Sequence, residues 1–220
     1  MTTPAAPASS VRPGPLRLSP LWLAFAALAL AVPMAPLLLA RRAPVLPDLG
    51  ELPAFSLIDQ RGRPFGLSDL RGQVWMADFV FTSCSDACPR LTAKMRSLQD
   101  RLDQGGRVGL LSLTVDPERD TPEKLADYAR LSGARDDLWR FLTGNPAEVE
   151  RTVVRGFHVA MGKVPVPAEG AALQAQAFEI MHGDRLVLVD PRGRIRGYYV
   201  ADAPGLRNIL RDARSLAERG

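Results

Sequence analysis

The stretch Val74-Trp75-Met76-Ala77-Asp78-Phe79-Val80-Phe81-Thr82-Ser83-Cys84-Ser85-Asp86-Ala87-Cys88-Pro89 decides the fold. Its first eight residues form a near-continuous apolar run, the mark of a strand buried on both faces of a parallel sheet. Pro89 suits the first position of a helix, and Leu91, Met95, Leu98 and Leu102 then recur at helical spacing until Gly105-Gly106 stops it. A buried strand that runs into a helix through a short polar turn is the repeating unit of an α/β domain. Both cysteines of the chain, Cys84 and Cys88, lie in that turn.

Outward from this unit the alternation continues. Val108–Val115 reads as a second buried strand, Thr121-Pro122 opens a helix through Leu131, Trp139–Leu142 is a third strand and Asn145-Pro146 caps a helix to Arg155. On the N-terminal side, Phe55–Ile58 and Pro64–Leu67 flank Gln60-Arg61-Gly62 and read as a small hairpin. Val164–Ala177 reads as an excursion loop. Arg185–Val189 and Arg194–Val200 flank the turn sequence Asp190-Pro191-Arg192-Gly193 as an antiparallel pair, and a last helix, Pro204–Arg219, presents Leu206, Ile209, Leu210, Ala213 and Leu216 on one face. The expected fold is α/β, a mixed central sheet flanked by helices in a thioredoxin-like arrangement.

The sequence has 220 residues, a formal net charge of +4 and two cysteines, too few for a zinc finger or a complete iron–sulfur thiolate set. Arg12, Arg17, Arg41 and Arg42 precede the first acidic residue, Asp48, and the remaining 24 basic residues balance 24 acidic ones. The body of the protein is therefore neutral, without the basic face that nucleic-acid binding requires. Residues 21–40, LWLAFAALALAVPMAPLLLA, carry no charge. At about 1.5 Å per residue they suit a single-pass membrane anchor, and they exceed the usual apolar region of a cleaved signal peptide. The expected organisation is a disordered tail (1–20), a transmembrane helix (21–40), a linker (41–52) and one domain (53–220).

The strand-to-helix junction is the carboxyl edge of the sheet, where reacting groups collect. Helix-terminal N–H groups there favour a thiolate, so both sulfurs are expected to be more acidic than a free thiol, with Asp86 opposing. A spacing of four brings the two side chains within reach of each other. The pair suits a disulfide, or two sulfur ligands for one soft metal ion, and the plain alternative is two buried cysteines or an inert structural disulfide. Two thiolates suit Cu(I), and one added imidazole extends the site to Cu(II). The chain offers His182, in a turn before the late antiparallel pair, and His158, in an alternating apolar context that reads as a core or surface residue. In VDPERDTP, Pro117 and Thr121-Pro122 read as shaping a loop and capping a helix, with Asp116 or Asp120 lining the rim of the site for docking as the alternative.

CSDACP after a buried strand, VDPERDTP some 30 residues on and a histidine before LVLVDPRGRIRGYY together resemble the Sco/SenC/PrrC group of membrane-anchored copper proteins. The resemblance covers about residues 50–216, and departs from the group's usual residues at Ser85, Met181 and Gly183. It implies one copper ion, Cu(I) or Cu(II), bound by Cys84, Cys88 and His182. It implies a metallochaperone rather than an enzyme, delivering copper or reducing equivalents to the binuclear copper centre of a haem-copper (cytochrome c) oxidase during assembly. The partners it implies are the copper-binding subunit of that oxidase and an upstream copper donor or thiol reductant. The anchor would sit in a bacterial inner membrane with the C-terminal domain in the periplasm.

The competing reading is a membrane-anchored periplasmic thiol-disulfide oxidoreductase, with Cys84 attacking and Cys88 resolving. It leaves His182 without a role, and CxxC is the more usual spacing. A peroxiredoxin-like peroxidase is disfavoured: its PxxxTxxC pattern is absent, since Thr82 stands two residues before Cys84 and no proline lies in the strand.

Overall fold

The computed structural model describes residues 45–84, 87–102, 106–161 and 185–219. Its elements in chain order are β1 (Ser56–Asp59), β2 (Pro64–Gly66), α1 (Leu67–Leu70), β3 (Val74–Val80), α2 (Ala87–Gln99), β4 (Val108–Thr114), α3 (Pro122–Leu131), β5 (Trp139–Thr143) and α4 (Pro146–Glu150), which runs on into a π-helical turn (Arg151–Gly156). β6 (Arg185–Val189), β7 (Ile195–Val200) and α5 (Ala203–Arg219) complete it. The described strands form one sheet in the order β2-β1-β5-β4-β3-β6-β7. β3, β4 and β5 are parallel, β6 pairs antiparallel to β3, and β1 antiparallel to β5. This is the mixed, helix-covered sheet expected. The sequence reading missed α1, a single turn, and carried α2 to Leu102, whereas the helix stops at Gln99.

Alternation along the central strands builds two cores. Val74 and Met76 of β3, Val108 and Leu110 of β4, and Trp139 and Phe141 of β5 face α2, α3 and α5, where Leu91, Met95, Leu98, Leu125, Ile209 and Ala213 cover them. Trp75, Ala77, Leu111, Leu113 and Leu142 face the other way, onto Leu52, Val149, Val153, Phe157 and Ile195. Because both faces are covered, β4 is buried at every position and β3 at all but one, which is why neither alternates in sequence. Gly109 lies opposite Trp75 in the β3–β4 register, and a Cβ there would stand 2.7 Å from the indole. Only glycine admits the ring across β4.

Helix ends follow local chemistry. The Thr121 side chain accepts from Lys124 N–H, with Pro122 next in the first helical position of α3. Gly133, just beyond α3, takes φ +66°, the left-handed conformation that ends helices. The Asn145 side chain accepts from Ala147 N–H at 3.0 Å to start α4. Residues ahead of β1 join the sheet edge: Leu49 N–H donates to the Ile195 carbonyl and Leu52 N–H to the Gly193 carbonyl, both at 2.9 Å. The segments 1–44 and 162–184, and with them the anchor at 21–40 and the excursion loop, lie outside the described residues. Among the described residues no helix is long and apolar enough to cross a membrane.

Candidate functional site

β3 ends at Val80, and the chain turns at Phe81–Cys84, closed by a hydrogen bond from Cys84 N–H to the Phe81 carbonyl at 3.2 Å. Cys84 is half-buried at the end of this turn. Cys88 is 6% exposed in the first turn of α2, and its N–H donates to the Cys84 sulfur at 3.2 Å. Neither sulfur is in a disulfide. The two expected sulfur positions therefore stand together at the carboxyl end of the central parallel strands. Cys84 precedes the helix, so the two do not share one helical face, yet their side chains are within reach: a hydrogen bond between them joins the N–H to sulfur bond.

The acidity expected of both sulfurs does not hold for Cys88, whose thiol is pushed up to about 12. Burial is the largest cause, and the charges of Cys84 and Asp78 add to it. A helix terminus stabilises a thiolate only while solvent or donors share the charge. Under α2 that help is outweighed by the lost hydration.

Asp78 is the site residue that the sequence reading passed over. It lies in β3, fully buried, facing the layer that carries α2 and therefore Cys88. Ser112, its register partner on β4, donates its hydroxyl to Asp78 Oδ1 at 2.5 Å and accepts from the Trp139 indole N–H at 2.9 Å. Among the described residues, Asp78 Oδ2 has no hydrogen-bond partner. Burial raises this carboxyl to about 7 against an ordinary 3.8, the Ser112 bond offsetting only part. The signal was present in the sequence as the single charge in an apolar strand. Tyr128 of α3 closes the layer, its hydroxyl 2.7 Å from Thr92 Oγ1. Burial raises its phenol, and Cys88, Asp78 and Cys84 all add to the shift, so the four groups share one field.

The acidic loop after β4 divides into two roles. Asp120 is wholly buried and accepts from Thr82 N–H at 3.2 and 3.1 Å, from Thr82 Oγ1 at 2.5 Å and from Thr114 Oγ1 at 2.6 Å. A buried carboxylate cannot dock a partner, which leaves the loop-shaping reading for Asp120. Asp116, partly exposed, faces Arg119 at 3.4 Å.

His158 follows the π-helical turn with φ +54°, half-buried; burial alone lowers its basicity. Beside it, Phe157 packs edge-on against Phe79 of β3 with centroids 5.5 Å apart. His182, the expected third ligand, lies outside the described residues, as do Ser85, Asp86, Met181 and Gly183. Among the described residues no group of three or more His, Cys, Asp or Glu side chains stands together as a metal site. What the described part supplies is a dithiol with one sulfur half-exposed and one buried, over an acidic floor. Such a pair can exchange disulfides or offer two sulfur ligands to a soft cation.

Residues 48–218 match the family model described as SCO1/SenC. A SCO1 protein homolog of Bacillus subtilis is 32% identical over 170 residues, covering 76% of this chain and 83% of that protein. A Stutzerimonas stutzeri protein named for copper binding is 34% identical over 170 residues, covering 76% and 78%. Among solved structures, BsSco, described as a member of the Sco family of cytochrome c oxidase assembly proteins with a disulfide switch, superposes with a TM-score of 0.65. It is 30% identical, and the match covers 80% of this chain and 99% of that one. With its thioredoxin-like sheet and a cysteine pair at the end of the central strand, this chain belongs to the SCO1/SenC family.

Proposed function

We propose that the protein is a copper metallochaperone, carrying one copper ion as cargo between Cys84, Cys88 and His182 and passing it to the binuclear copper centre of a haem-copper oxidase during assembly. The observation that carries this reading is the pair of sulfurs held together at the end of β3, one accessible and one buried, with neither in a disulfide. The Stutzerimonas stutzeri relative named for copper binding supports the cargo, and the description of BsSco supports the client class. Residues 21–40 would anchor the chain in a bacterial inner membrane with the domain in the periplasm, where copper or reducing equivalents reach it from an upstream donor.

In this reading, the half-exposed Cys84 meets an incoming copper donor or the acceptor subunit, and the buried Cys88 retains the ion. Both sulfurs must be thiols before loading, because a disulfide sulfur is a poor ligand. A reductant therefore acts upstream. The test is the copper content of the purified full-length chain after desalting, reduced and oxidised. One ion in the reduced form and none in the disulfide form is expected; equal copper in both places the cargo elsewhere. His182→Ala should keep much of its Cu(I) and lose most Cu(II) and its thiolate charge-transfer absorption, while His158→Ala behaves as wild type. The reverse pattern would move the third ligand to His158.

The second reading, a thiol-disulfide oxidoreductase, is favoured by the disulfide switch described for BsSco. Cys84 would attack a partner disulfide, and Cys88 would displace the mixed disulfide, so that two electrons and two protons pass to the partner's thiols as Cys84–Cys88 closes. Under it His182→Ala leaves disulfide reduction and oxidase assembly intact, whereas Cys84→Ser and Cys88→Ser each abolish both.

A further inference from the structure

A turn that leaves a strand stands wherever its backbone is tied. In the turn Phe81–Cys84, the tie to the neighbouring loop is made at Thr82, two before Cys84. Its N–H and its hydroxyl both end on the Asp120 carboxylate, which also takes the hydroxyl of Thr114 at the end of β4. Asp120 is itself held, its N–H donating to the Asp116 carbonyl at 2.9 Å, while Asp116 N–H donates to Thr114 Oγ1 at 3.0 Å. The two neighbouring strand ends are further joined by Val115 N–H to the Val80 carbonyl at 2.9 Å. One buried carboxylate thus fastens the cysteine turn to the β4–α3 loop with charge-assisted hydrogen bonds, the strong kind.

We propose that Asp120 is a positioning residue for Cys84: through Thr82 it sets where the Cys84 sulfur stands relative to Cys88. This rests on the reading that Cys84 and Cys88 are the working pair. The chain of contacts is continuous, from Asp120 to Thr82, along the turn to Cys84, and from the Cys84 sulfur to Cys88 N–H at 3.2 Å. Loosening its first link lowers the effective concentration of one sulfur at the other, on which both disulfide closure and two-sulfur metal binding depend.

The test uses the full-length chain in detergent and compares Asp120→Asn, Thr82→Val, Thr82→Ser and Val149→Ala. Asp120→Asn replaces one acceptor oxygen with a donor. Thr82→Val removes only the hydroxyl donor, and Thr82→Ser restores it. Val149→Ala loosens the opposite core without touching the turn. The readouts are the dithiol–disulfide equilibrium of the metal-free chain against glutathione, and the thiolate absorption after CuCl2 is added to the reduced chain. Asp120→Asn and Thr82→Val should shift the equilibrium towards the dithiol by about tenfold, about 30 mV for this two-electron couple, and alter the copper absorption. Thr82→Ser and Val149→Ala should match wild type. If Asp120→Asn does not fold, Thr82→Val carries the test. A wild-type equilibrium in both clamp variants, whatever their thermal stability, overturns the assignment, as does an equal shift in Val149→Ala. A wild-type chain that binds no copper, with the clamp variants still shifted, defeats the copper reading and upholds the clamp. Normal copper binding with an unmoved equilibrium defeats the clamp alone.

Discussion

Replacing Asp78 by Asn removes a buried charge while keeping the shape of the side chain, so its effect on stability should depend on pH in a defined window. The folded-state carboxyl titrates near 7 against an ordinary 3.8 because burial strips its hydration and Ser112 satisfies only one of its oxygens. Below 3.8 the group is protonated folded and unfolded, and it contributes no pH dependence. Between 3.8 and 7 the folded state holds a proton that the unfolded chain has released, so stability falls as pH rises. Above 7 the penalty is constant. At about 1.4 kcal/mol for each tenfold change in proton affinity, the displacement amounts to about 4 kcal/mol. Asp78→Asn keeps the acceptor for Ser112 and places an unbonded N–H₂ at the orphan oxygen, which costs about 1–3 kcal/mol at every pH. The stability of Asp78→Asn relative to wild type should therefore rise by about 4 kcal/mol from pH 4 to pH 8. Urea unfolding of the reduced, metal-free chain across that range measures it. Buried Trp139 is a direct optical probe, since its indole N–H donates to the same Ser112. Parallel stability curves for the two proteins would show that folding does not raise the Asp78 carboxyl, and would refute the argument.

Gly109→Ala should lower the stability of the folded chain by about 1–3 kcal/mol, because the new methyl meets the Trp75 ring and the Gln73 amide at under 3 Å; a thermal midpoint within error of wild type would show that the ring moves aside freely. Under iodoacetamide at neutral pH, Cys84 should be modified before Cys88, whose thiol is buried and pushed up to about 12, and mass mapping that finds Cys88 labelled first would contradict the burial order. Membranes should retain the full-length chain after alkaline extraction; a soluble periplasmic form beginning near residue 41 would mean that residues 21–40 are a removed signal.

The fold was legible in the sequence wherever burial is expressed by residue type. β3 and β4 are apolar throughout because both faces are covered, and α3 and α4 begin at Thr121-Pro122 and Asn145-Pro146 because their caps are local chemistry. The cysteines were placed at the sheet edge for the same reason: a run of strand residues followed by helical spacing locates the junction. What sequence could not supply is which distant groups share that junction. Asp78 was passed over inside an apolar strand, and Asp120 was read only within a loop that leads into the next helix or as a docking residue. One proved to be a buried carboxyl beneath the site, with one oxygen unpartnered among the described residues, and the other the tie between two loops. The acidity of Cys88 was misjudged on the same account, since a helix terminus can be read along the chain but the dielectric above it cannot. Periodicity, caps and spacing are written in residues a few positions apart, and those determined the elements, their order and the position of the two sulfurs. Desolvation and the hydrogen bonds across 34 and 38 residues between neighbouring strands and loops exist only once the sheet has closed, so tertiary structure alone decided the electrostatics of the pair and the clamp that holds it.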